Sequence, residues 1–343
     1  MKRICVVPNV SGVGGMVSFR DKFKAGLQAR GIEVVADLGH AACDAVLVIG
    51  GTRDLLGLWR AKRRGVRIVQ RLNGMNWLHR QLNTGLRHYL RAEYGNWILK
   101  TIRSRLADHI IYQSEFSRDW WQRVYGPTPV SSSVVYNGID LETYSPDGNS
   151  GLPYDRFRLL MVEGSLMGGY ELGLETAVQL VEQLNAAHSQ DLGKKVELMV
   201  VGRVAESIRE QYADRLNPPI LWRGLVDIDE IPEIDRSAHL LFASDINAAC
   251  PNSVIEALAC GLPVLSFDTG ALPELVKGNA GRVVPYGGDP WKLEQPDIPA
   301  LAQAAVEILM NQNHFKLDAR VCAEDIFALD QMTNSYLENL LNH

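Results

Sequence analysis

Short apolar runs punctuate the chain, separated by stretches long enough to hold a helix of a few turns. Arg3–Pro8, Glu33–Ala36, Ala45–Ile49, Val66–Gln70, Asp108–Gln113 and Ser133–Tyr136 are compact and rich in β-branched residues, and read as strands. Their apolar character is nearly continuous, the pattern of strands buried on both faces. Between them Met16–Arg30 shows helical spacing and stops at Gly31, and Leu55–Arg64 is helical as well. Strands alternating with helices predict a parallel sheet covered on both sides.

Residues 143–155, TYSPDGNSGLPYD, break the pattern with Pro, Gly, Ser and Asp, and read as a linker between domains. The alternation then restarts. Phe157–Val162, Val196–Val201, Leu240–Ala243 and Val264–Phe267 are strand-like, and Leu172–Asn185 is helical. At 343 residues the chain is longer than one hydrophobic core usually spans. The prediction is α/β: two Rossmann-like domains in tandem, residues 1–150 and 151–324.

Composition is that of an ordinary globular protein, with 46% hydrophobic and 22% charged residues. No apolar run approaches the ~20 residues of a membrane span. The N-terminal apolar run is too short for a signal peptide and reads as the first strand. Five cysteines, an odd number without a CxxC pair, predict reduced, mostly buried thiols in a cytoplasmic protein without a zinc site. The net charge of -5 is unevenly spread: residues 1–150 carry 21 basic against 12 acidic side chains, and residues 151–343 carry 14 against 28. The basic half is either a solvated face or the face for an anionic partner. It has no nucleic-acid-binding motif, and the overall pI of about 5.9 gives none either.

Several stretches carry chemistry. Gly12, Gly14 and Gly15 follow the first strand and form either a tight turn into the helix or a place where backbone amides approach an anion at a helix start. Their spacing does not match the dinucleotide fingerprint, which counts against a dehydrogenase. ACPNSVIEALACGLPVL, residues 249–265, reads as a turn and cap at Pro251-Asn252-Ser253, a short helix, a stop at Gly261 and a buried strand. Its lone acid, Glu256, stands one turn in, and reads either as a helix-start charge or as a ligand. A helix tip that offers amides to phosphate, with a carboxylate for the hydroxyls of a ribose, forms a nucleoside-diphosphate clamp. Asp227-Ile228-Asp229 spells a D-x-D, but it precedes a helical segment and Asp229 reads as its cap. Apolar residues recur every fourth position from Leu78 to Ile102 among Arg80, Arg87, Arg91, Lys100 and Arg103. They read as a helix pair broken at Gly95 with its leucines in the core, the alternative being a basic amphipathic surface for anionic lipid.

Residues 256–264, EALACGLPV, resemble the second half of the Glu-x7-Glu signature of the large bacterial family of GT-B-fold glycosyltransferases. Gly14-Gly15, Ser114-Glu115-Phe116-Ser117 and Val135-Tyr136-Asn137-Gly138-Ile139-Asp140 are similar to other motifs of that family, in the same order. The resemblance implies that the two domains face a central cleft and that 325–343 returns to the first domain. It also implies sugar transfer with retention from a nucleotide-sugar donor, used as a co-substrate without cofactor or metal. The acceptor would be a polysaccharide, a lipid-linked sugar or another cell-envelope glycan, reached in the cytoplasm or at the inner face of the membrane. Glu256 would hold the donor ribose, and Asn252, Ser253, Val254 and Gly164 would lie at the phosphates. Gly12, Gly14, Gly15 and Asn73 would line the cleft from the first domain.

The chain departs from the family pattern at three places. Ala248 stands where the first Glu, which contacts the donor sugar, belongs. Ser165 replaces a diphosphate-clamping Arg, and no Lys stands near Gly169; Arg203, or backbone amides at Gly164, Gly168 and Gly169, would substitute. Asn73-Gly74 replaces the usual His-led pair, and Asn cannot act as an acid or base. These departures raise the alternative of a non-catalytic nucleotide- or glycan-binding protein. His79, close by, reads as a solvated helix residue.

Overall fold

The computed structural model describes residues 2–12, 14–39, 43–166 and 171–341. They divide into two compact units, Met1–Gly138 with Phe327–His343, and Ile139–Ile326.

The first unit alternates β1 (Arg3–Val7), α1 (Gly15–Gln28), β2 (Glu33–Val35), β3 (Ala45–Ile49), α2 (Leu55–Arg63), β4 (Arg67–Leu72), α3 (Leu86–Thr101), β5 (His109–Tyr112), α4 (Glu115–Tyr125) and β6 (Ser131–Val134). The six strands form one sheet in the order β2-β1-β3-β4-β5-β6, every pair parallel. The apolar residues of β1 and β3 are buried, as continuous runs demand. The C-terminal helix, which follows the second unit in the chain, completes this core: its Tyr336 ring lies 5.2 Å from both Phe19 and Phe23 of α1. Gly26 of α1 permits the approach, since a Cβ there would stand 2.6 Å from Thr333 Oγ1.

The second unit contains β7 (Arg156–Ser165), α5 (Glu171–Ala187), α6 (Ser189–Leu192), β8 (Lys195–Arg203), α7 (Glu206–Gln211), β9 (Leu221–Gly224), α8 (Ile231–Arg236), β10 (Leu240–Ala243), α9 (Asn252–Ala259), β11 (Val264–Phe267), α10 (Leu272–Leu275), β12 (Gly281–Val284), α11 (Ile298–Met310) and α12 (Gln312–Ile326). The C-terminal helix of the first unit is α13 (Leu329–Leu341). The second sheet runs β12-β11-β10-β7-β8-β9, again all parallel. Both units thus have the doubly wound, Rossmann-like architecture. Leu160, Met161, Leu240 and Leu265 sit at its centre, at most 0% exposed.

Four local readings differ from expectation. The segment 143–155 begins as part of the second unit: Arg236 donates to the Ser145 and Asn149 carbonyls at 3.0 Å, and Arg320 to those of Tyr144 and Leu141 at 2.7 and 3.1 Å. The division by contacts therefore falls at Gly138, ahead of the expected residue 150. Asp227, not Asp229, is the cap before α8; its backbone N–H donates to Glu230 Oε1 at 3.3 Å. His79 is buried in a short turn of 3-10 helix, its Nε2 2.8 Å from Glu93 Oε1. Finally, α3 runs through Gly95 without a break, and Leu86, Leu90 and Tyr94 are exposed while Ile98 and Ile102 are buried. A repeat of four advances about 40° per step on a helix of 3.6 residues per turn, so from Leu86 to Ile102 it crosses to the opposite face.

Candidate functional site

In an open parallel sheet, ligands bind outside the carboxyl ends of the strands, where the winding reverses. In the second unit that point lies between β7 and β10, because the chain winds from β7 out to β9 and returns to β10 on the other side. A register shift between Val162 and Ser165 bulges β7 at this end. The bulge leaves Glu163 half-buried and Gly164 exposed, with open space where a Gly164 Cβ would stand. Ser165 pairs with Arg203 across β7 and β8, and Arg203 is exposed. Gly202, one residue earlier, has φ 139, and a Cβ there would lie 2.0 Å from the Glu163 carbonyl oxygen. Only glycine allows β8 to lie this close to β7.

From β10 the chain passes Ser244 and Asp245 and enters α9 at Asn252. Ser244 Oγ donates to Glu163 Oε1 at 2.9 Å. Burial, followed by the charge of Asp245, pushes the Glu163 carboxyl well above the usual carboxylate range; burial pushes Asp245 up too. Two partly buried carboxyls this close together ionise less readily than either would in open water. Ala248 is buried, its carbonyl accepting from Ala271 N at 2.8 Å, and Gly270, at φ 60, leaves no room for a Cβ beside it. The helix runs from Asn252 to Ala259 behind Pro251 as its N-cap, which makes no side-chain cap hydrogen bond.

Asn252 and Ser253 are half-buried in that first turn, and Val254 is fully buried in the core, so only its backbone faces the helix tip. Glu256 is buried between α9 and its neighbours, 7% exposed. Its charge, after burial, is the second reason why the Asp235 carboxyl is raised, and it raises the Tyr144 phenol as well. Glu256 therefore lies in a low-dielectric corner with α8 and the Tyr144 segment. Gly168 and Gly169 lie outside the described residues.

In the first unit the corresponding reversal lies between β1 and β3. Gly12 and Gly14, at φ 101 and 143, follow β1, and α1 starts at Gly15 without a side-chain cap. Both are exposed, with open space where a Cβ would be. Asn73 follows β4; its backbone carbonyl accepts from Trp121 Nε1 at 2.7 Å and Ser117 Oγ at 3.2 Å, leaving the half-buried side chain for other contacts. Gly74 is needed there because a Cβ would stand 2.8 Å from the Trp120 ring. Among the described residues no three His, Cys, Asp or Glu side chains group to hold a metal, and no helix is long and apolar enough to cross a membrane.

Glu163, Asp245 and Asn247 were not singled out by the sequence, although Glu163 and Asp245 each follow directly on an apolar strand run, RLLMV and LLFAS. An acid at the carboxyl end of a buried parallel strand is the signal that finds them.

Two doubly wound units, one following the other in the chain, define the GT-B class of fold. Residues 12–143 match the family model described as Glycosyltransferase Family 4, and 159–311 that described as Glycosyl transferases group 1. The chain belongs to the GT-B-fold glycosyltransferases. It is 28% identical over 198 residues to the D-inositol 3-phosphate glycosyltransferase of Streptomyces bingchenggensis, over 52% of this chain and 42% of that one. The chain thus spans about half the length of the curated relatives it matches. Among solved structures, sucrose-phosphate synthase of Thermosynechococcus elongatus superposes with a TM-score of 0.77 at 15% identity, covering 99% of this chain and 98% of that one. Anabaena HepE, solved with UDP and glucose, gives 0.70 at 16% identity, covering 99% of each.

Proposed function

We propose that the protein transfers a sugar, with retention, from a nucleoside-diphosphate sugar to a polysaccharide, lipid-linked or other cell-envelope acceptor. The second unit holds the donor and the first unit is assigned the acceptor. The observation that carries this reading is the carboxyl edge of the second sheet. There the uncapped start of α9, the exposed Gly164 and Arg203, and the carboxylate of Glu256 belong to the strands and helix that flank one reversal point. HepE, which shares the fold, was solved with UDP and glucose, and supports a nucleotide sugar as donor.

In this reading the α9 tip and the backbone at Gly164 and Ser165 carry the diphosphate, with Arg203 as its cation, and Glu256 accepts from the ribose hydroxyls. Donors aimed at the leaving diphosphate stabilise the charge that develops on it, and no metal or cofactor is assigned a step. Burial, followed by the charge of Glu256, raises the Asp235 carboxyl beside it. The test is consumption of a nucleotide sugar, followed by proton NMR of the anomeric signal. Loss of the donor signal with an α-anomeric product from an α-linked donor supports the proposal. Nucleotide binding without turnover on any acceptor supports instead the non-catalytic alternative, which Ala248 and Ser165 favour.

A peripheral contact with anionic lipid is also proposed, on α3. Leu86, Tyr89, Leu90, Tyr94 and Trp97 are all exposed and fall within one stripe of the helix, with Arg87, Arg91 and Lys100 exposed around it. Apolar residues in a basic rim match the boundary between acyl chains and anionic headgroups.

A further inference from the structure

The missing first Glu of the signature leaves the donor sugar without its expected ligand at position 248. The structure supplies other polar groups at the same edge. Glu163 ends β7 and Ser244-Asp245 leave β10, the two strands that flank the reversal point. Ser244 Oγ donates to Glu163 Oε1 at 2.9 Å, which ties the two strand ends together. Gly173 lets α5 close against Ser244, because a Cβ there would stand 2.7 Å from the Ser244 Cβ. Two residues beyond Asp245, Asn247 is held at φ 60 and is 4% exposed. Among the described residues its Nδ2 has no hydrogen-bond partner. A buried amide donor costs free energy when unpaired, so this group calls for a ligand.

We infer that Glu163, Asp245 and Asn247 form the sugar subsite of the donor in this chain, in place of a glutamate at 248, and that it takes a neutral, hydroxyl-bearing sugar. The inference rests on the reading that the second unit binds a nucleoside-diphosphate sugar. Carboxyl oxygens and an amide donor match hydroxyl groups better than they match phosphate oxygens, so the cluster suits the sugar end of the donor, with the diphosphate on the backbone beyond it. Sugar hydroxyls donate to carboxylate oxygens and accept from the Asn247 amide and from a retained carboxyl proton. The raised carboxyls agree with this, since a shared proton gives the pair both a donor and acceptors. The same two acids disfavour a uronic acid, whose carboxylate would face them. Ala248, buried against Gly270, keeps the loop closed behind the subsite.

The test is calorimetric titration of UDP, GDP and ADP, and of their glucose and glucuronic acid conjugates, into wild type, Asp245→Asn, Glu163→Gln and Asn247→Ala. Circular dichroism checks that each variant is folded, and the two amide variants keep the size of the side chain. The inference predicts that the variants lose about tenfold or more in affinity for the glucose conjugate but less than about twofold for the diphosphate alone. It also predicts that wild type prefers glucose over glucuronic acid and that Asp245→Asn narrows the preference. Equal losses for conjugate and diphosphate overturn the inference and leave the donor reading standing. So does nucleotide binding that requires magnesium and loses that requirement in Asp245→Asn, because the acids would then hold a cation. If wild type binds no nucleotide, the donor reading fails, and the inference with it.

Discussion

At the scale of single residues, two glycines with positive φ test different costs. Gly202 has φ 139 and its Cβ position overlaps the Glu163 carbonyl, whereas Gly14 has φ 143 and open space. Gly202→Ala is expected to destabilise the second unit by about 3 kcal/mol or more and Gly14→Ala to cost about 1 kcal/mol, both read from urea unfolding. His239, like the similarly buried His109, contributes a pH dependence. Its Nδ1 accepts from Arg158 N at 3.0 Å, and burial, helped by Lys316, Lys194 and Arg158, lowers its pKa from 6.5 to about 4. The unfolded imidazole takes a proton near 6.5 and the folded one only near 4, so the unfolded state binds more protons between those values. The contribution of His239 to stability is therefore fully present above pH 6.5 and falls as pH drops toward 4. His239→Gln is expected to flatten that part of a melting-temperature profile; an unchanged slope would assign the acid loss elsewhere.

The legibility of elements followed burial. Strands such as Ala45–Ile49 and Val264–Phe267 were legible to the residue because both faces are buried and the apolar run has no other use. β9 and β12 were not, because Leu221–Gly224 and Gly281–Val284 are short, half-exposed and interrupted by Arg and Gly. Gly281 belongs to a strand for a reason that only the fold shows: a Cβ there would meet the Val264 carbonyl oxygen. In α3 the four-residue repeat was visible, but the direction of its stripe was not, since the repeat winds around the helix rather than along one face. The exposed face of Leu86, Tyr89, Leu90, Tyr94 and Trp97 predicts binding to vesicles containing anionic phosphatidylglycerol, weakened by raised salt and by Trp97→Ser with Leu90→Ser, and absent on phosphatidylcholine. Binding unaffected by the double variant would leave α3 without that role. For α13, removal of 327–343 is expected to expose Phe19 and Phe23 and unfold the first unit, seen as loss of cooperative melting.

At the scale of the whole molecule, the alternation of strands and helices predicted two doubly wound units, and the two sheets have that form. The candidate site was half legible. Glu256 and the start of α9 could be picked out from the sequence through the resemblance of residues 256–264 to the family signature, because the residue chemistry alone reads equally as a helix-start charge. Glu163, Asp245 and Asn247 could not, because they come together only when the ends of β7 and β10 lie side by side. The charge division, basic in the first 150 residues and acidic after them, places the excess of acids in the half assigned to an anionic donor. That half can bind a nucleotide only if local amides and cations outweigh the general field. The most direct measurement is therefore calorimetric titration of UDP, GDP and ADP into wild type and Glu256→Ala. The account predicts that one nucleotide binds and that the variant loses most of the affinity while remaining folded. Equal binding by both proteins, or none by wild type at millimolar concentration, would contradict it.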